Sequence, residues 1–434
     1  MVTFTNQADV LETVVEVLSK HQNDDYYAYE RGEHWYIGIG SRSSLVIDSK
    51  GQTATVKSAS GQATRSIDGA SIAHIAREFS TLNLKSGFRI FGQAGFNYAA
   101  HILGQKYASG NWPLLALLVP RLEIVLHRHM ITLKGVDEEV KALYDSIQNN
   151  TGVSTFQNVQ CIHTEDEGNY IARVENALSD ISAGYYTKVI PSRTVEIPYK
   201  VNMLATLLRG RRSNNPARSF SLNHAGYQAT GLSPELVVSV NNRRVTTEPL
   251  AGTRSGLGSK EQVEKLREEL LNDPKEIVEH VISVKETITE LQQLCPQGTV
   301  KVEDLMSIRA RGSVQHLGSR VTGILSPEKD MWDAFDVVFP SITASGIPKH
   351  AALEAIQRLE DQPRELYSGA VIMIEDLESF EAALVLRTVF QDQNRTWIQA
   401  GAGVISQSNP QRELMETHEK LASIAPFVTP DGSD

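Results

Sequence analysis

Two segments of the chain each carry a pair of glutamates three residues apart. Glu276 and Glu279 form the first pair, and Glu413 and Glu416 form the second, with Lys420 four residues beyond Glu416. On a helix, residues three or four apart lie on the same face. If the two helices face each other, four carboxylates converge, and an all-oxygen site of this kind suits Mg²⁺. The two pairs are therefore candidate metal ligands.

The first pair also has a simpler structural interpretation. Asp273 and Pro274 are a typical helix start, and Glu276, three residues after Asp273, completes a capping-box pattern. Glu279 is then an ordinary solvated side chain. The helix is expected over residues 273–294, with one apolar stripe. That stripe comprises Ile277, Val281, Val284, Ile288 and Leu291.

The second pair is open to the same interpretation. Ser408, Asn409 and Pro410 predict a helix start, and the helix should run from about residue 410 to 424. Taken alone, Glu416 and Lys420 are a surface ion pair that contributes about 0.3–0.5 kcal/mol. The apolar side of this helix comprises Leu414, Leu421 and Ile424.

Lys188 and Glu235 are candidates for proton transfer. Lys188 lies in a strand-like run of aromatic and β-branched residues, and Glu235 follows the turn Gly231–Ser233 and Pro234. A lysine at the edge of a strand and a glutamate in a turn are usually solvated. Buried, the lysine can act as a base and the carboxyl, with a raised pKa, as an acid.

Three further positions have side chains or backbones suited to ligand binding. Arg387 ends a strongly apolar strand, where a guanidinium needs a buried anion such as a substrate carboxylate. His316 is a candidate catalytic residue, although a single histidine is more often structural. Gly401 and Gly403 follow a strand and allow close approach of the backbone to a ligand, but they lack the third glycine of a dinucleotide fingerprint.

The composition excludes several classes of protein. The 434 residues are 41% hydrophobic and 22% charged, as in globular domains, and the net charge of −10 argues against nucleic acid and anionic membranes as partners. Two cysteines without metal-type spacing predict neither a disulfide framework nor a zinc site. The first residues lack the order of a signal peptide, and residues 113–126 are too interrupted to span a bilayer. A reduced cytoplasmic location is expected.

The order of predicted elements indicates an α+β protein, because strands and helices alternate irregularly. Residues 149–157 are polar and are interpreted as a linker rather than a firm domain boundary. Strands are expected at 34–38, 44–48, 53–58, within 123–134, and at 188–198, 219–222, 236–241, 369–374, 382–390 and 396–401. Helices are expected at 72–82, 137–148, 168–182, 201–209 and 349–359.

Taken together, the motifs resemble those of the chorismate-utilising enzymes, which include anthranilate, aminodeoxychorismate, isochorismate and salicylate synthases. The matching segments, in family order, are 188–193 (KVIPSR), 231–235 (GLSPE), 247–254 (TEPLAGTR), 275–280 (KEIVEH), 312–318, 339–346 (FPSITASG), 367–369, Arg387, 401–403 and 413–420. Residues 91–98 are a weaker match.

The resemblance implies a fold and a domain organisation. It implies one large domain over residues 1–434, built from two sandwiched β-sheets flanked by helices, with the active site in a cleft between them. Residues 1–150 would be its divergent N-terminal part, and residues 165–427 its motif-bearing, chorismate-binding part.

The resemblance also assigns roles to individual residues. It implies that Mg²⁺ holds the ring carboxylate of chorismate, with Glu279 and Glu416 as direct ligands and Glu276 and Glu413 acting through waters. The remaining residues follow from the same motifs. Tyr367, Arg387 and the backbone around Gly401 and Gly403 would hold the enolpyruvyl carboxylate, Gly252, Thr253 and Lys420 would line the ring-carboxylate side, and Thr343 and His316 would border the ring.

The assignment to a subfamily rests on fewer residues than the assignment to the family. Amine-forming members have glutamine where this chain has Lys188, and aminodeoxychorismate synthases have a nucleophilic lysine where it has Ala251. Since water, unlike ammonia, needs a base, Lys188 points to attack by water. Residues 309–318 and 339–349 resemble the siderophore salicylate synthases of the yersiniabactin and mycobactin type.

The expected reaction is conversion of chorismate through isochorismate to salicylate and pyruvate. Lys188 would take a proton from water, and Glu235 would donate one to the departing hydroxyl. Two alternatives remain: an isochorismate synthase that stops at the intermediate, and a non-catalytic protein that binds divalent metal. Downstream siderophore assembly enzymes are possible partners, and the sequence does not determine the oligomeric state.

Overall fold

The computed structural model describes residues 1–5, 8–67, 69–148, 162–165 and 169–432. The expected linker at 149–157 and Gly168, the expected first residue of a helix, lie outside these ranges. In the described part of the chain, no helix is both long and apolar enough to cross a membrane.

Strands and helices alternate irregularly, as expected for an α+β protein. The strands are β1 (Val2–Thr5), β2 (Tyr26–Arg31), β3 (His34–Ile47), β4 (Thr53–Ser58), β5 (Gly61–Ser66), β6 (Ile90–Ala94), β7 (Leu115–His127), β8 (Met130–Lys134), β9 (Lys188–Val189), β10 (Ser192–Ile197), β11 (Arg218–His224), β12 (Tyr227–Ser233), β13 (Leu236–Asn241), β14 (Arg244–Thr247), β15 (Leu250–Ser255), β16 (Lys301–Arg311), β17 (Val314–Ile324), β18 (Gly346–Ile347), β19 (Ala370–Asp376), β20 (Ser379–Leu384), β21 (Thr388–Gln391) and β22 (Thr396–Gly401). The α-helices are α1 (Val10–Ser19), α2 (Ile72–Asn83), α3 (Asn97–Ile102), α4 (Asp137–Gln148), α5 (Tyr170–Ser182), α6 (Met203–Ser213), α7 (Lys260–Asn272), α8 (Pro274–Gln292), α9 (Met331–Val338), α10 (Lys349–Leu359) and α11 (Pro410–Leu421).

Two long strands, β3 and β7, join the two halves of the sheet. They pair along nearly their whole length, with a register shift between Ser41 and Ser43. The first half of β3 also pairs with β2, and its second half pairs with β4. A bulge lets a strand bend without ending, so hydrogen bonding continues from one half into the other. The structure thus shows one large curled antiparallel sheet where two separate sandwiched sheets were expected.

Two arms extend from this centre. One runs through β2, β11, β12, β21, β22 and β10. The other runs through β6, β19, β20, β13, β14 and β17, and β17 also pairs with β15 and β16. A small ladder between β9 and β18 pairs Lys188 with Ile347. These arms carry Glu235, His316 and Arg387 towards one region.

Most predicted elements are confirmed, and the differences have local causes. The helix expected at 137–148 and the strand expected at 53–58 have the predicted ends, and the two strands expected at 34–38 and 44–48 are parts of β3. The single strand expected at 382–390 is wrong, because β20 ends at Leu384 and β21 begins at Thr388, and Arg387 lies between them rather than at the end of a strand. The single strand expected at 188–198 is also wrong, because β9 ends at Val189 and β10 begins at Ser192. Pro191 lies in the gap and lacks the N–H that a continuous ladder needs.

The start of α8 is confirmed, but its buried face differs from the prediction. Asp273 accepts hydrogen bonds from the backbone N–H groups of Lys275 and Glu276, whereas the carboxylate of Glu276 binds Arg254 rather than completing a capping box. Val281, placed on the expected apolar stripe, is 45% exposed. The buried residues of α8 are instead mostly polar. They are Glu276, Glu279, His280, Ser283, Val284, Thr287, Glu290 and Leu291.

Candidate active site

A cavity bordered by both arms of the sheet collects most of the predicted site residues. It encloses about 670 Å³ of empty space, part of it open to solvent. Its lining is Ile190, Pro234, Glu235, Leu250, Ala251, Gly252, Thr253, Glu279, His316, Thr343, Ala344, Tyr367, Leu386, Arg387, Gln399, Ala400, Gly401, Gly403, Glu416 and Lys420. Of the predicted residues, only Lys188, Glu276 and Glu413 lie outside this lining, and all three are buried directly behind it.

At one end of the cavity, carboxylates of α8 and α11 converge, as the two glutamate pairs suggested. Glu276, Glu279, Glu413 and Glu416 are each at most 5% exposed. The ammonium of Lys275 joins the two helices, at 2.9 Å from Glu279 Oε2 and 3.2 Å from Glu413 Oε1. These four carboxylates with the surrounding ammonium groups are called the acidic end below.

Ionisation in the acidic end is uneven. Burial raises the pKa of Glu276 and of Glu413 to about 7. Burial also opposes ionisation of Glu279, but Lys188 and Lys275 more than offset it and lower its pKa to about 2. Lys188 is fully buried, and its Nζ lies 3.0 Å from Glu279 Oε1 and 3.0 Å from Ser283 Oγ.

The chemistry of the acidic end fits a divalent cation of oxygen preference. Besides Glu413 Oε1, which the Lys275 ammonium contacts at 3.2 Å, three buried carboxylate oxygens have no hydrogen-bond partner among the described residues, namely Glu276 Oε2, Glu413 Oε2 and Glu416 Oε2. Unpaired buried oxygens of this kind are costly unless a cation neutralises them. The described carboxylates nevertheless form no group of three with metal-binding geometry, and the Lys275 ammonium contacts both Glu279 and Glu413.

Two glycines let the backbone approach these carboxylates. A Cβ on Gly403 would lie 2.1 Å from Glu279 Oε1, and one on Gly252 would lie 2.8 Å from Glu276 Oε2. Gly252 also has a φ of +71°, which other residues rarely adopt. Lys420 completes this side, with its Nζ 2.8 Å from Glu416 Oε1 and 2.8 Å from the carbonyl oxygen of Gly401.

Arg387 lines the same cavity, at what is called its Arg387 end below, and has no carboxylate partner among the described residues. In the described part of the chain its hydrogen bonds go to the carbonyl oxygen of Arg311, at 2.9 Å, and to His316 Nε2, at 2.5 Å. Burial and the neighbouring Arg311 lower the pKa of Arg387 to about 9. A buried guanidinium without a counter-anion is suited to binding an anionic ligand.

His316 has both ring nitrogens engaged. Nδ1 donates to the carbonyl oxygen of Gly252 at 3.0 Å, so Nε2 accepts from Arg387. Burial and the charge of Arg387 hold its pKa well below the usual value. This neutral imidazole, bound on both sides, holds the Arg387 guanidinium in place, and the catalytic role expected of His316 from the sequence stays a prediction.

Glu235 also lies on the cavity wall. Ser341 Oγ donates to its Oε1 at 2.7 Å, while Oε2 has no hydrogen-bond partner among the described residues. Burial raises the pKa of Glu235 to about 8. The carboxyl group therefore carries a proton at neutral pH and can act as a general acid.

Some residues that shape the site were not assigned a role from the sequence. Lys275 and Ser283 lie four residues before and after Glu279, and this helical spacing could have indicated both. The fully buried Arg364 donates to the carbonyl oxygens of Ala344 and Ile190, two residues of the cavity wall. Arg364 also binds the carboxylate of Glu360, four residues earlier. Its contact with the cavity wall was not indicated by the sequence, because those two carbonyl groups are far away along the chain.

The chain is similar to known proteins in sequence and in fold. The chain is 38% identical to a salicylate synthase from Mycolicibacterium paratuberculosis over 97% of this chain and 93% of that protein. It is 34% identical to an anthranilate synthase component 1 from Methanothermobacter thermautotrophicus over 59% of this chain and 55% of that protein. The structure of anthranilate synthase component I from Streptococcus pneumoniae superimposes with a TM-score of 0.76 at 23% identity, covering 91% of this chain and 92% of that one.

The TM-score establishes the fold, and the sequence match to the salicylate synthase extends over nearly the whole chain. The model of the chorismate binding enzyme family matches residues 24–426. The chain belongs to the family of chorismate-binding enzymes.

Proposed function

We propose that the protein is a Mg²⁺-dependent salicylate synthase that converts chorismate through isochorismate to salicylate and pyruvate. The observation that carries this proposal is the charge arrangement of the cavity. The unpaired guanidinium of Arg387 lies at one end, and a carboxylate cluster with its ammonium groups lies at the other. Chorismate is a dicarboxylate, so one carboxylate can bind Arg387 while the other lies at the acidic end.

The first step is exchange of a hydroxyl group between two ring carbons. Lys188, neutral at the moment of reaction, accepts a proton from water, and the water oxygen bonds to C2 of chorismate. The two ring double bonds shift as the C4 hydroxyl leaves. Glu235 donates a proton to this leaving group, which its raised pKa of about 8 permits at neutral pH. The product is isochorismate.

The second step releases pyruvate and forms the aromatic ring. The bond between the ring and the enolpyruvyl oxygen breaks while the hydrogen on C2 moves to the enolpyruvyl methylene. No second base is required, so the contribution of the protein is positional. Arg387 and Tyr367 hold the enolpyruvyl carboxylate so that the side chain lies over the ring, and Thr343 borders the ring.

The acidic end would hold the metal ion. Glu279 and Glu416 would be direct ligands, with Glu276 and Glu413 behind water molecules. Mg²⁺ bound there would supply positive charge to the ring carboxylate. Gly252, Thr253 and Lys420 line the same side and would orient that carboxylate.

One assay separates this proposal from its alternatives. Purified protein is incubated with chorismate and Mg²⁺, and salicylate fluorescence and pyruvate are followed together. Salicylate and pyruvate in equal amounts are expected. Isochorismate without pyruvate would indicate an isochorismate synthase, and the absence of turnover would indicate a non-catalytic metal-binding protein.

The full-length match to a salicylate synthase supports the choice within the family. We further propose that the salicylate enters siderophore assembly, with assembly enzymes as downstream partners. The cytoplasmic location and the single-domain organisation with residues 165–427 as its chorismate-binding part also stay predictions.

A further inference from the structure

The Lys275 ammonium is the only cation in the described acidic end whose contacts are all carboxylates. Its Nζ lies 2.9 Å from Glu279 Oε2, 3.2 Å from Glu413 Oε1 and 3.8 Å from Glu276 Oε1. We propose that Lys275 is a resident cation that holds the four carboxylates together and is displaced into solvent when a divalent cation binds. This inference rests on the metal site of the proposed function.

The other cations of the acidic end have additional anchors. Lys188 also donates to Ser283, Lys420 also donates to the Gly401 carbonyl, and Arg254 also binds Asp273. Moving any of them would break hydrogen bonds that a metal ion cannot replace. Lys275 loses only carboxylate contacts, and a divalent cation among the same oxygens restores all of them with higher charge.

The place of Lys275 in α8 allows this movement. Its backbone N–H donates to the capping carboxylate of Asp273 at 2.9 Å, so the backbone is fixed at the helix start. The side chain is 15% exposed, which leaves a path to solvent, whereas the side chain of Lys188 is fully buried. The side chain has four rotatable bonds whose rotation moves the ammonium by several ångströms while the backbone stays fixed.

Displacement leaves most of the cluster neutralised. Glu276 keeps Arg254 at 3.0 Å, Glu279 keeps Lys188 at 3.0 Å and Glu416 keeps Lys420 at 2.8 Å. Among the described cations, Glu413 has an ion pair with Lys275 alone. Glu413 is therefore the carboxylate that depends most on exchange of Lys275 for a metal ion.

Calorimetric titration with MgCl₂ alone tests the proposal. We compare the wild-type protein with Lys275→Met, which keeps the length and apolar stem of the side chain without its charge. Lys285→Met, an exposed position on the same helix, is the matched control. The Kd for Mg²⁺ is expected to fall roughly tenfold in Lys275→Met, because a nearby positive charge that competes for the same oxygens is removed. It should stay unchanged in Lys285→Met.

Thermal melting gives a second measurement on the same proteins. Without Mg²⁺ the Tm of Lys275→Met should be lower than that of the wild type, and the rise in Tm on adding Mg²⁺ should be larger. A folded Lys275→Met protein whose Kd for Mg²⁺ is unchanged or higher overturns the proposal. An unchanged Kd would mean that Lys275 does not compete with the metal ion, and a higher Kd would mean that it supports the metal site.

Chemical labelling of the wild-type protein covers the case in which Lys275→Met fails to fold. Reductive methylation with formaldehyde and borane, followed by mass spectrometry, reports how accessible each lysine is. Labelling of Lys275 should increase several-fold when Mg²⁺ is added, while that of Lys285 stays constant. Equal labelling of Lys275 with and without Mg²⁺ overturns the proposal. Salicylate production from chorismate is measured separately, so failure of this inference is distinct from failure of the proposed function.

Discussion

The two ends of the cavity handle buried charge in opposite ways. The acidic end contains four carboxylates, and ammonium or guanidinium groups from the same chain neutralise much of their charge. The other end contains the Arg387 guanidinium, which binds a carbonyl oxygen and a neutral imidazole instead of an anion. The acidic end is thus suited to exchanging one cation for another, whereas the Arg387 end is suited to binding an anion.

The pKa values express the same difference. At the acidic end, the neighbouring ammonium groups lower the pKa of Glu279 to about 2 against the effect of burial. At the other end, burial and Arg311 lower the pKa of Arg387 to about 9, in the direction that disfavours its charge. The free protein therefore carries an unfavourable charge at Arg387, which binding of a substrate carboxylate relieves.

The largest effect is expected from removing the amine of Lys188 at the acidic end. Lys188→Ala should lower isochorismate formation by roughly 10³-fold, since general-base catalysis contributes about 10²–10⁴-fold. Pyruvate release from supplied isochorismate should persist at least in part, because that step needs no base. Both rates are measured with chorismate and with isochorismate as substrates.

Lys188 is fully buried, so a variant that preserves its volume accompanies this test. Lys188→Met fills the same space, and Lys285→Ala controls for loss of a lysine elsewhere in the chain. Loss of both steps in a folded Lys188→Met protein would show that Lys188 does more than activate water.

The second-largest effect is expected from removing the guanidinium of the Arg387 end. Arg387→Met should lower kcat/KM for chorismate by roughly 100-fold, because a charge-assisted hydrogen bond to a carboxylate contributes about 1.5–3 kcal/mol. The Tm should change little, since no ion pair is lost. Arg218, whose guanidinium binds both oxygens of Glu381, is the matched control. Arg218→Met should lower the Tm, and an equally large fall in Tm for Arg387→Met would contradict the unpaired state of Arg387.

A smaller effect is expected at the metal ligands. Glu279→Gln should weaken the dependence on Mg²⁺ by roughly 10- to 100-fold, measured as the Mg²⁺ concentration for half-maximal activity. The Tm should fall only slightly, because Lys188 keeps Ser283 and Lys275 keeps Glu413 as partners. Glu286→Gln on the same helix is the control. A normal Mg²⁺ titration with a large fall in Tm would make Glu279 a structural residue.

The smallest effect concerns the pH range of activity. Since Glu235 must be protonated and has a pKa of about 8, kcat/KM should fall about tenfold per pH unit above that value. Ser341 stabilises the ionised form by its hydrogen bond, so Ser341→Ala should move this fall to higher pH. A profile that stays flat to pH 10 in the wild type would exclude Glu235 as the acid.

Stability gives an independent check on Glu235. Its pKa rises from 4.5 to about 8 on folding, so between these pH values the folded protein holds a proton that the unfolded chain has released. The contribution of Glu235 to the free energy of unfolding therefore falls as pH rises through this window. The free energy of unfolding of Glu235→Gln minus that of the wild type should be larger at pH 9 than at pH 4, as measured by denaturant unfolding at both pH values.

Local signals in the sequence determined much of this protein. The caps Asp273 and Asn409 gave the starts of α8 and α11, because a capping side chain needs only the next few backbone N–H groups. The spacing of the glutamate pairs followed from helical periodicity. The motifs indicated which residues share a site, and twelve of the fifteen predicted site residues line one cavity.

Tertiary structure decided what periodicity could not. An apolar stripe was expected to face the core from α8, yet the polar face carrying Glu276 and Glu279 is buried and Val281 is exposed. Burying that face is tolerable only because Lys188, Lys275 and other cations lie beside it, and most of these come from distant parts of the chain. The contact of Lys275 with Glu413, that of Arg364 with Ile190 and that of His316 with Arg387 join distant parts of the chain, which spacing along one helix does not contain.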